Sequence, residues 1–275
     1  MPVFAMHKRR SRPLAAPITF WHAFRTTYGQ SVSFLMVCPL LALIPVAFEL
    51  MQHVVEYRIG MYSDIASASA VGDSAIRVAF GFMKAVALIV PTYWITRFLT
   101  GRGTDYARRL EPRALRCFGV FLLTEVGIAA VEIFLLPRKG PGAVFALLVG
   151  QVVTCLLCAW SVAAPIGNAE IGLVKSVDLM RRHLPWTFAF LLATMLPLMA
   201  VHYALAVASI LGPKSLLWGA LMLDALVVGY LSIVLIASNF YAAIRAAAVA
   251  QVVLLPTTIG AADVYVGAGA SGSVL

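Results

Sequence analysis

Charged side chains are scarce in this sequence and make up only 12% of its 275 residues. A soluble domain carries about 25% charged residues, so an ordinary soluble enzyme and a disordered chain are both excluded. The chain has only 4 cysteines, which excludes a secreted scaffold held together by disulfides. Hydrophobic residues make up 61% of the chain, and the mean hydropathy is +0.91. This composition is typical of a polytopic membrane protein.

Long stretches with few or no charges predict the membrane-spanning helices. About 20 apolar residues in helical form cross the ~30 Å of hydrocarbon in a bilayer. The sequence contains six such stretches, which predicts an all-α integral membrane protein with a six-transmembrane-helix bundle in a single domain, 1–248. The predicted helices lie near 30–50, 76–98, 116–137, 143–167, 186–211 and 216–244. The remaining segment, 249–275, ends in glycine, alanine and serine and is expected to be a flexible tail.

The basic residues are distributed unequally between the two sides of these helices. Of the 21 Lys and Arg residues, 15 fall on the side of the N-terminus, 5 on the opposite side, and Lys84 inside a span. The positive-inside rule then places both termini in the cytoplasm and the 51–75 loop outside. We expect a multi-pass protein of the plasma membrane, which in a bacterium is the inner membrane. Because the net charge of +9 belongs to short loops beside the spans, it favours anionic lipid headgroups as partners and not nucleic acid.

Each outward-going helix is preceded by a cytoplasmic segment of mixed apolar and basic character. The segment before the third helix carries Arg108 and Arg109, and the one before the fifth helix carries Lys175, Arg181 and Arg182. In the latter, one helical stripe consists of Ile171, Val174, Val177, Met180 and Leu184. Such amphipathic segments are expected to lie at the membrane interface, with their basic residues against anionic headgroups.

A set of short motifs around the last two helices resembles a known membrane-domain family. The motifs are Ala164-Pro165-Ile166, Glu170, Lys175-Ser176-Val177-Asp178-Leu179, Pro185-Trp186 and Asn239-Phe240-Tyr241-Ala242-Ala243-Ile244-Arg245. They resemble the membrane domain that is found fused to glycerophosphodiester phosphodiesterases and also alone in multi-helix membrane proteins. The resemblance implies a six-helix membrane domain. It implies no phosphodiesterase activity, because the sequence contains no soluble barrel with acidic and histidine ligands.

Away from the ends of the predicted spans, five charged or histidine side chains remain: Lys84, Glu125, Glu132, His202 and Asp224. Lys84, His202 and Asp224 each lie about eight or nine residues from the outer end of a helix, or roughly 12–14 Å below the outer surface. Glu125 and Glu132 share one face of the third helix near that depth. Since an unpaired ammonium is costly inside a bilayer, we predict that Lys84 approaches Asp224, Glu132 or Glu125. This cluster is either a structural ion pair or a transport or ligand site, and the sequence leaves both open.

No enzyme motif accompanies this cluster. His-Glu-x-x-His, a phosphate-binding glycine loop and Gly-x-Ser-x-Gly are all absent from the sequence. Cys155 and Cys158 form a Cys-x-x-Cys in the fourth helix, where Cys158 continues a small-residue face with Ala146, Gly150 and Thr154, which favours helix packing over redox or metal chemistry. His202 is the only histidine inside a predicted span, which disfavours haem. We therefore expect no enzyme, no cofactor and no metal.

Two functional hypotheses follow from these patterns. The first is a non-enzymatic module for envelope or lipid organisation, which contacts anionic headgroups and possible membrane-protein partners. The alternative is a small transporter or channel that uses the five residues of the buried cluster.

Overall fold

A computed structural model of the chain describes residues 17–255. These residues form eleven α-helices and no strand. The helices are α1 (Phe20–Val37), α2 (Pro39–Arg58), α3 (Ile65–Val71), α4 (Ala75–Ile89), α5 (Thr92–Leu99), α6 (Thr104–Arg108), α7 (Pro112–Phe134), α8 (Gly140–Ala163), α9 (Leu173–Arg181), α10 (Leu184–Leu211) and α11 (Leu217–Ala250).

Six segments of the described residues are long and apolar enough to cross a membrane. They are Pro39–Arg58, Ala75–Leu99, Pro112–Phe134, Gly140–Ile166, Leu184–Leu211 and Lys214–Ala250. The second combines α4 with α5, and the fourth and sixth each include a short 3-10 turn beside α8 or α11. The predicted all-α, six-helix membrane class is confirmed. Because six is an even number, the chain leaves the membrane on the face from which it entered.

The first span lies further along the chain than the predicted 30–50. The helix breaks at Cys38, whose φ of −130° and ψ of 54° are not helical, and Pro39 then opens α2. Proline suits the first turn of a helix because the N–H that it lacks has no partner there. The span consequently continues to Arg58, so part of the predicted 51–75 loop belongs to the membrane helix.

The preceding helix, α1, is amphipathic and is not among the six spans. It contacts α10, α11 and α5. The ring of Phe20 lies 5.8 Å from that of Trp186, and the ring of Phe34 lies 5.4 Å from that of Phe98. The buried face consists of Ala23, Thr27, Ser31 and Phe34. The amphipathic segment that the sequence predicts before the first span is thus longer than expected and packs across three helices.

The most buried span of the described residues is α11, which contacts α10, α2, α8, α1 and α5. Its approach to α2 depends on Gly229. A Cβ atom at this position would lie 2.4 Å from Val46 Cγ2 and 3.5 Å from the carbonyl oxygen of Ala42. The absence of a side chain therefore allows α2 and α11 to pack closely, which sets the distance between their polar residues.

Arg97 anchors the helix ends on the predicted cytoplasmic side. Its side chain is fully buried. Nε donates to the carbonyl oxygen of Tyr106 at 3.1 Å, and Nη1 donates to that of Pro165 at 3.2 Å. Nη2 lies 3.1 Å from Glu111 Oε1. The guanidinium thereby joins α5 to α6, to the start of α7 and to the turn after α8.

The amphipathic segment before the fifth span contains α9, which packs against α8 and α11. Ser176 Oγ donates to the carbonyl oxygen of Leu156 at 2.8 Å and accepts from the Trp160 N–H at 3.0 Å. Within the predicted apolar stripe, Ile171 and Met180 are buried in the protein, whereas Val174 is 79% exposed. Part of the stripe therefore packs against the bundle, and the expectation that this segment lies at the membrane interface stays a prediction.

The predicted flexible tail, 249–275, overlaps the end of the last helix and the residues that directly follow it. Helix α11 continues to Ala250. Leu254 is buried, and its carbonyl oxygen accepts a hydrogen bond from Asn168 Nδ2 at 2.9 Å. Residues 256–275, together with the basic N-terminal residues 8–12, lie outside the described range.

Candidate functional site

A connected set of polar side chains lies where α2, α4, α10 and α11 meet, and we call it the polar network. Its members are Glu49, Gln52, His53, Glu56, Tyr62, Arg77, Lys84, His202 and Asp224. Six of them are buried, and only Arg77, Lys84 and His202 are partly exposed. Burying charge is unfavourable unless the charges are paired and hydrogen-bonded, so the connections within the network decide whether it is stable.

Asp224 on α11 lies at the centre of the polar network, between two imidazole rings. Its Oδ2 is 3.1 Å from His53 Nε2, and its Oδ1 is 2.7 Å from His202 Nδ1. Each oxygen of the carboxylate therefore has its own histidine, one from α2 and one from α10. The carboxylate itself is only 1% exposed.

A second carboxylate, Glu56, orients the other side of His53. Glu56 Oε2 lies 3.3 Å from His53 Nδ1 and accepts a hydrogen bond from the Tyr62 hydroxyl at 2.5 Å. Glu56 Oε1 accepts from Gln52 Nε2 at 2.9 Å and from Arg77 Nε at 2.8 Å. Both ring nitrogens of His53 thus face carboxylates.

Tyr62 follows α2 and returns toward the network from outside the membrane span. Burial, and the negative charge of Glu56 beside it, raise the pKa of Tyr62 well above its ordinary value. The phenol therefore stays protonated at physiological pH and can donate its proton to the Glu56 carboxylate. This hydrogen bond attaches the turn after α2 to the polar network.

The ion pair of Lys84 is made with Glu49, and not with one of the three carboxylates that the sequence predicted. Lys84 Nζ lies 3.0 Å from Glu49 Oε2 and 3.3 Å from Oε1. Among the described residues, none of Asp224, Glu132 and Glu125 lies within 4.0 Å of the ammonium. The prediction placed Glu49 at the end of the first helix, but α2 continues to Arg58 and puts this carboxylate inside the bundle.

The remaining two predicted residues, Glu125 and Glu132 on α7, do not join the polar network. In the described part of the chain neither carboxylate makes an ion pair or a hydrogen bond. Glu125 borders a cavity of about 190 Å³ that is also lined by Thr154, Ser161 and Ser232. Glu132 lies over Gly150 of α8, where a Cβ atom would be 2.5 Å from its Oε1. The five-residue cluster therefore separates into three residues inside the network and two outside it.

Six of the nine members of the polar network were not identified in the sequence. Glu49, His53 and Glu56 were assigned to the end of the first helix and the loop after it, yet their spacing of four and three residues places them on one face of a helix. That spacing was the available signal. The signal was not recognised because the predicted first helix, 30–50, ends about one turn before His53.

The basic residues predicted to contact lipid lie at the other end of the bundle. Lys175 and Arg182 line an open cleft of about 540 Å³ together with Glu170 and Asp178. Arg181 Nη2 lies 2.6 Å from Asp178 Oδ1. Arg108 and Arg109 are exposed, and Arg108 Nη2 donates to the carbonyl oxygen of Val37 at 2.9 Å.

Three members of the polar network have the composition and spacing of a cation site. Glu49, His202 and Asp224 each offer one ligand atom, and these atoms all lie within 4.8 Å of one another. They come from α2, α10 and α11, so no continuous sequence motif contains them. The expectation of no metal rested on such motifs.

No protein-family model matches the chain, and no curated protein or solved structure matches it either. The resemblance of the last two helices to the phosphodiesterase-associated membrane domain therefore stays a prediction. Arguments about function rest on the polar network and on the helix packing around it.

Proposed function

We propose that the protein is a small transport protein for protons or small cations, and that the polar network is its binding site. The observation that best supports this proposal is the position of Asp224 between His53 and His202, buried among three membrane spans. Ionisable groups within membrane spans usually line ion or substrate pathways.

The charges of the network favour binding of positive charge. Its three carboxylates, Glu49, Glu56 and Asp224, face only two permanent cations, Lys84 and Arg77. With both histidines neutral, one negative charge is left without a counterion in a region from which water is largely excluded. An uncompensated buried charge is strongly unfavourable. A bound proton or cation would remove this imbalance.

A second cavity offers a route to the network from the predicted outer side. It has a volume of about 230 Å³ and lies between the turn after α2 and the start of α11. Tyr62 lies between the cavity and the polar network: it lines the cavity, and its hydroxyl contacts Glu56 and His53. A movement of this one side chain would connect the cavity with the polar network.

Two of the helices that carry the site contain an internal proline. Pro45 lies four residues before Glu49 in α2, and Pro197 lies five residues before His202 in α10. Proline removes one helical hydrogen bond and bends the helix, which membrane helices tolerate. We propose that α2 and α10 bend at these points when the site changes the side to which it opens.

The experiment is flux across a vesicle membrane. The full chain is reconstituted into liposomes with an internal pH-sensitive dye, and a proton or cation gradient is applied. We expect flux above that of empty vesicles, and a loss of at least about tenfold in Asp224→Asn. Glu132→Gln is the matched control, because it removes a membrane carboxylate outside the network. Wild-type protein without flux, or Asp224→Asn with full flux, would contradict the proposal.

A lipid-organising role is the second candidate, and the exposed surface of α9 supports it. Leu173 and Val174 are exposed, and Lys175 and Arg182, also exposed, line one cleft in the same segment. Such a surface suits the interface of an anionic leaflet. If it binds anionic lipid, Lys175→Gln with Arg182→Gln should reduce the anionic lipid that remains bound in native mass spectrometry. Arg138→Gln with Lys139→Gln, at the opposite end of the bundle, should not.

A further inference from the structure

The ligand atoms at the centre of the polar network are spaced as if around a common ion. Donor atoms bound to one tetrahedral ion at 2.0–2.2 Å are separated from each other by about 3.3–3.6 Å. His53 Nε2 lies 3.1 Å from Asp224 Oδ2 and 3.6 Å from Glu49 Oε1. The ligand atoms of Glu49, His202 and Asp224 form a group within 4.8 Å. His53 lies outside that group of three, so its ring would have to move toward them, and His202 Nδ1 would have to move away from Asp224 Oδ1, now 2.7 Å distant, for all four donors to bind one ion.

The surroundings of His53 are those of a histidine that binds a metal. A metal-bound histidine almost always uses its second ring nitrogen to contact a carboxylate, a carbonyl oxygen or water. His53 directs Nε2 toward Asp224 and Glu49, while its Nδ1 lies 3.3 Å from Glu56 Oε2. Glu56 is in turn held by Gln52, Tyr62 and Arg77.

A further observation concerns one oxygen at the centre that is ion-paired but not hydrogen-bonded. Glu49 Oε2 is buried and accepts no hydrogen bond of good geometry, although Lys84 Nζ lies 3.0 Å from it. Buried carboxylate oxygens are normally hydrogen-bonded. A metal ion is one partner that would complete the coordination of this oxygen.

We infer that the polar network binds one divalent first-row transition-metal ion through Glu49, His53, His202 and Asp224. Two imidazoles and two carboxylates suit Zn²⁺, Mn²⁺ or Fe²⁺, whereas Mg²⁺ and Ca²⁺ prefer oxygen ligands alone. The inference names the cation class, and it rests on the proposed function in taking the polar network as the functional site.

Lys84 has a definite role in this arrangement. With neutral histidines, the three carboxylates and two cations of the network leave one negative charge unmatched. A divalent ion carries two positive charges, so its binding would leave one positive charge in excess. The Lys84 side chain is 20% exposed, and among residues 17–255 its ammonium pairs only with Glu49, so the ammonium is the group that can move away when the ion enters. Removal of Lys84 should therefore strengthen metal binding.

The test uses the full chain purified in detergent and stripped of metal with a chelator. We expect one equivalent of Zn²⁺ to remain bound after desalting, with Mg²⁺ and Ca²⁺ unable to displace it. His202→Gln and Asp224→Asn should each raise the Kd of Zn²⁺ by about tenfold or more in calorimetric titration. Lys84→Gln should lower it. His22→Gln, at an exposed histidine on α1, is the matched control and should bind as the wild type.

A measurement on the wild type keeps the inference testable if a variant fails to fold. X-ray absorption of the Zn²⁺-loaded protein should show nitrogen and oxygen ligands at about 2.0–2.1 Å with imidazole scattering. Absence of stoichiometric Zn²⁺, sulfur ligation, or unchanged affinity in His202→Gln and Asp224→Asn would each overturn the inference. So would unchanged affinity in Lys84→Gln, since the ion would then not lie beside Glu49.

Failure of the inference can be separated from failure of the proposed function. Proton flux in vesicles by a protein that binds no Zn²⁺ overturns the metal site and leaves transport standing. Stoichiometric Zn²⁺ binding with no flux of protons or metal ions leaves the metal site standing and removes transport.

Discussion

Lys84 Nζ and Glu49 Oε2 lie 3.0 Å apart, so an ammonium on α4 and a carboxylate on α2 form an ion pair inside the membrane region. The carboxylate is 1% exposed and the ammonium 20%. The pair also connects the edge of the polar network to His53, whose Nε2 is 3.6 Å from Glu49 Oε1. A change to one partner therefore affects both the packing of α2 against α4 and the charge of the network.

The first prediction concerns the stability of this pair. Lys84→Gln leaves the buried Glu49 charge without its partner and should lower the free energy of unfolding by roughly 3 kcal/mol. The double variant Lys84→Gln with Glu49→Gln should lose less, because no unpaired charge remains. Thermal unfolding of the metal-free protein in detergent measures both. A double variant less stable than Lys84→Gln would contradict the prediction.

The second prediction concerns the close contact of α2 with α11. Gly229→Ala places a Cβ atom where Val46 Cγ2 now lies, which should cost about 1–3 kcal/mol through overpacking. Val46→Ala in the same chain should restore most of this loss, because it removes the clashing methyl groups. Unfolding midpoints of the two single variants and the double variant measure the effect. If Val46→Ala gives no rescue, the contact is not what limits the approach of the helices.

The third prediction concerns orientation, which the six spans leave undecided. From the distribution of Lys and Arg, an impermeant maleimide applied outside intact cells should label Ser63→Cys and not Gly103→Cys. Both positions are exposed, whereas Cys38, Cys155 and Cys158 are buried. The unmodified chain gives the background from Cys117. Labelling of Gly103→Cys alone would reverse the orientation.

The fourth prediction concerns Arg97 as an anchor. Arg97→Lys keeps the charge but cannot reach the carbonyl oxygens of Tyr106 and Pro165 and the Glu111 carboxylate together. We expect a loss of about 2–3 kcal/mol in the free energy of unfolding, since charged hydrogen bonds in a buried site are lost. Glu111→Gln should cost less, because Glu111 is 34% exposed. Equal stability of Arg97→Lys and wild type would show that the three contacts are dispensable.

The fifth prediction concerns pH and His183, which precedes α10. Burial, with Arg245 and Arg182 nearby, lowers the pKa of His183 below its ordinary value of 6.5. The unfolded chain therefore binds this proton more readily, so His183 makes folding less favourable as the pH falls below 6.5. Arg182→Gln should raise the pKa of His183, as followed by NMR of labelled histidine. Arg181→Gln is the control, because Arg181 pairs with Asp178.

The composition and the charge-free stretches were sufficient to predict the class of the fold. Helix length and apolar content are properties of continuous sequence, and a bilayer requires both. Five of the six spans lie close to their predicted positions. The first span was misplaced because α1 is apolar enough in its second half to extend a charge-free stretch, whereas the break at Cys38 and Pro39 separates it from α2.

The candidate site was predictable only in part, because the sequence gives the depth of a residue along its helix but not the direction in which its side chain points. Depth along a helix can be counted, which is how Lys84, His202 and Asp224 were selected together. The rotation of each helix about its axis, and the helices against which it packs, cannot be obtained by counting residues along the sequence. Both depend on which helix faces pack together. Glu125 and Glu132 have a suitable depth, but α7 directs them toward α8 and a separate cavity.

The sequence alone determined that this chain is a helical membrane protein with polar groups inside its spans, because hydrophobic length and charge are read residue by residue. Only the tertiary structure decided that Glu49 pairs with Lys84 and that His53 and His202 both contact Asp224. These contacts join residues from four helices. The contact of His53 with Asp224 depends on the close approach of α2 and α11 at Gly229, and the distance between two helices is a property of their packing.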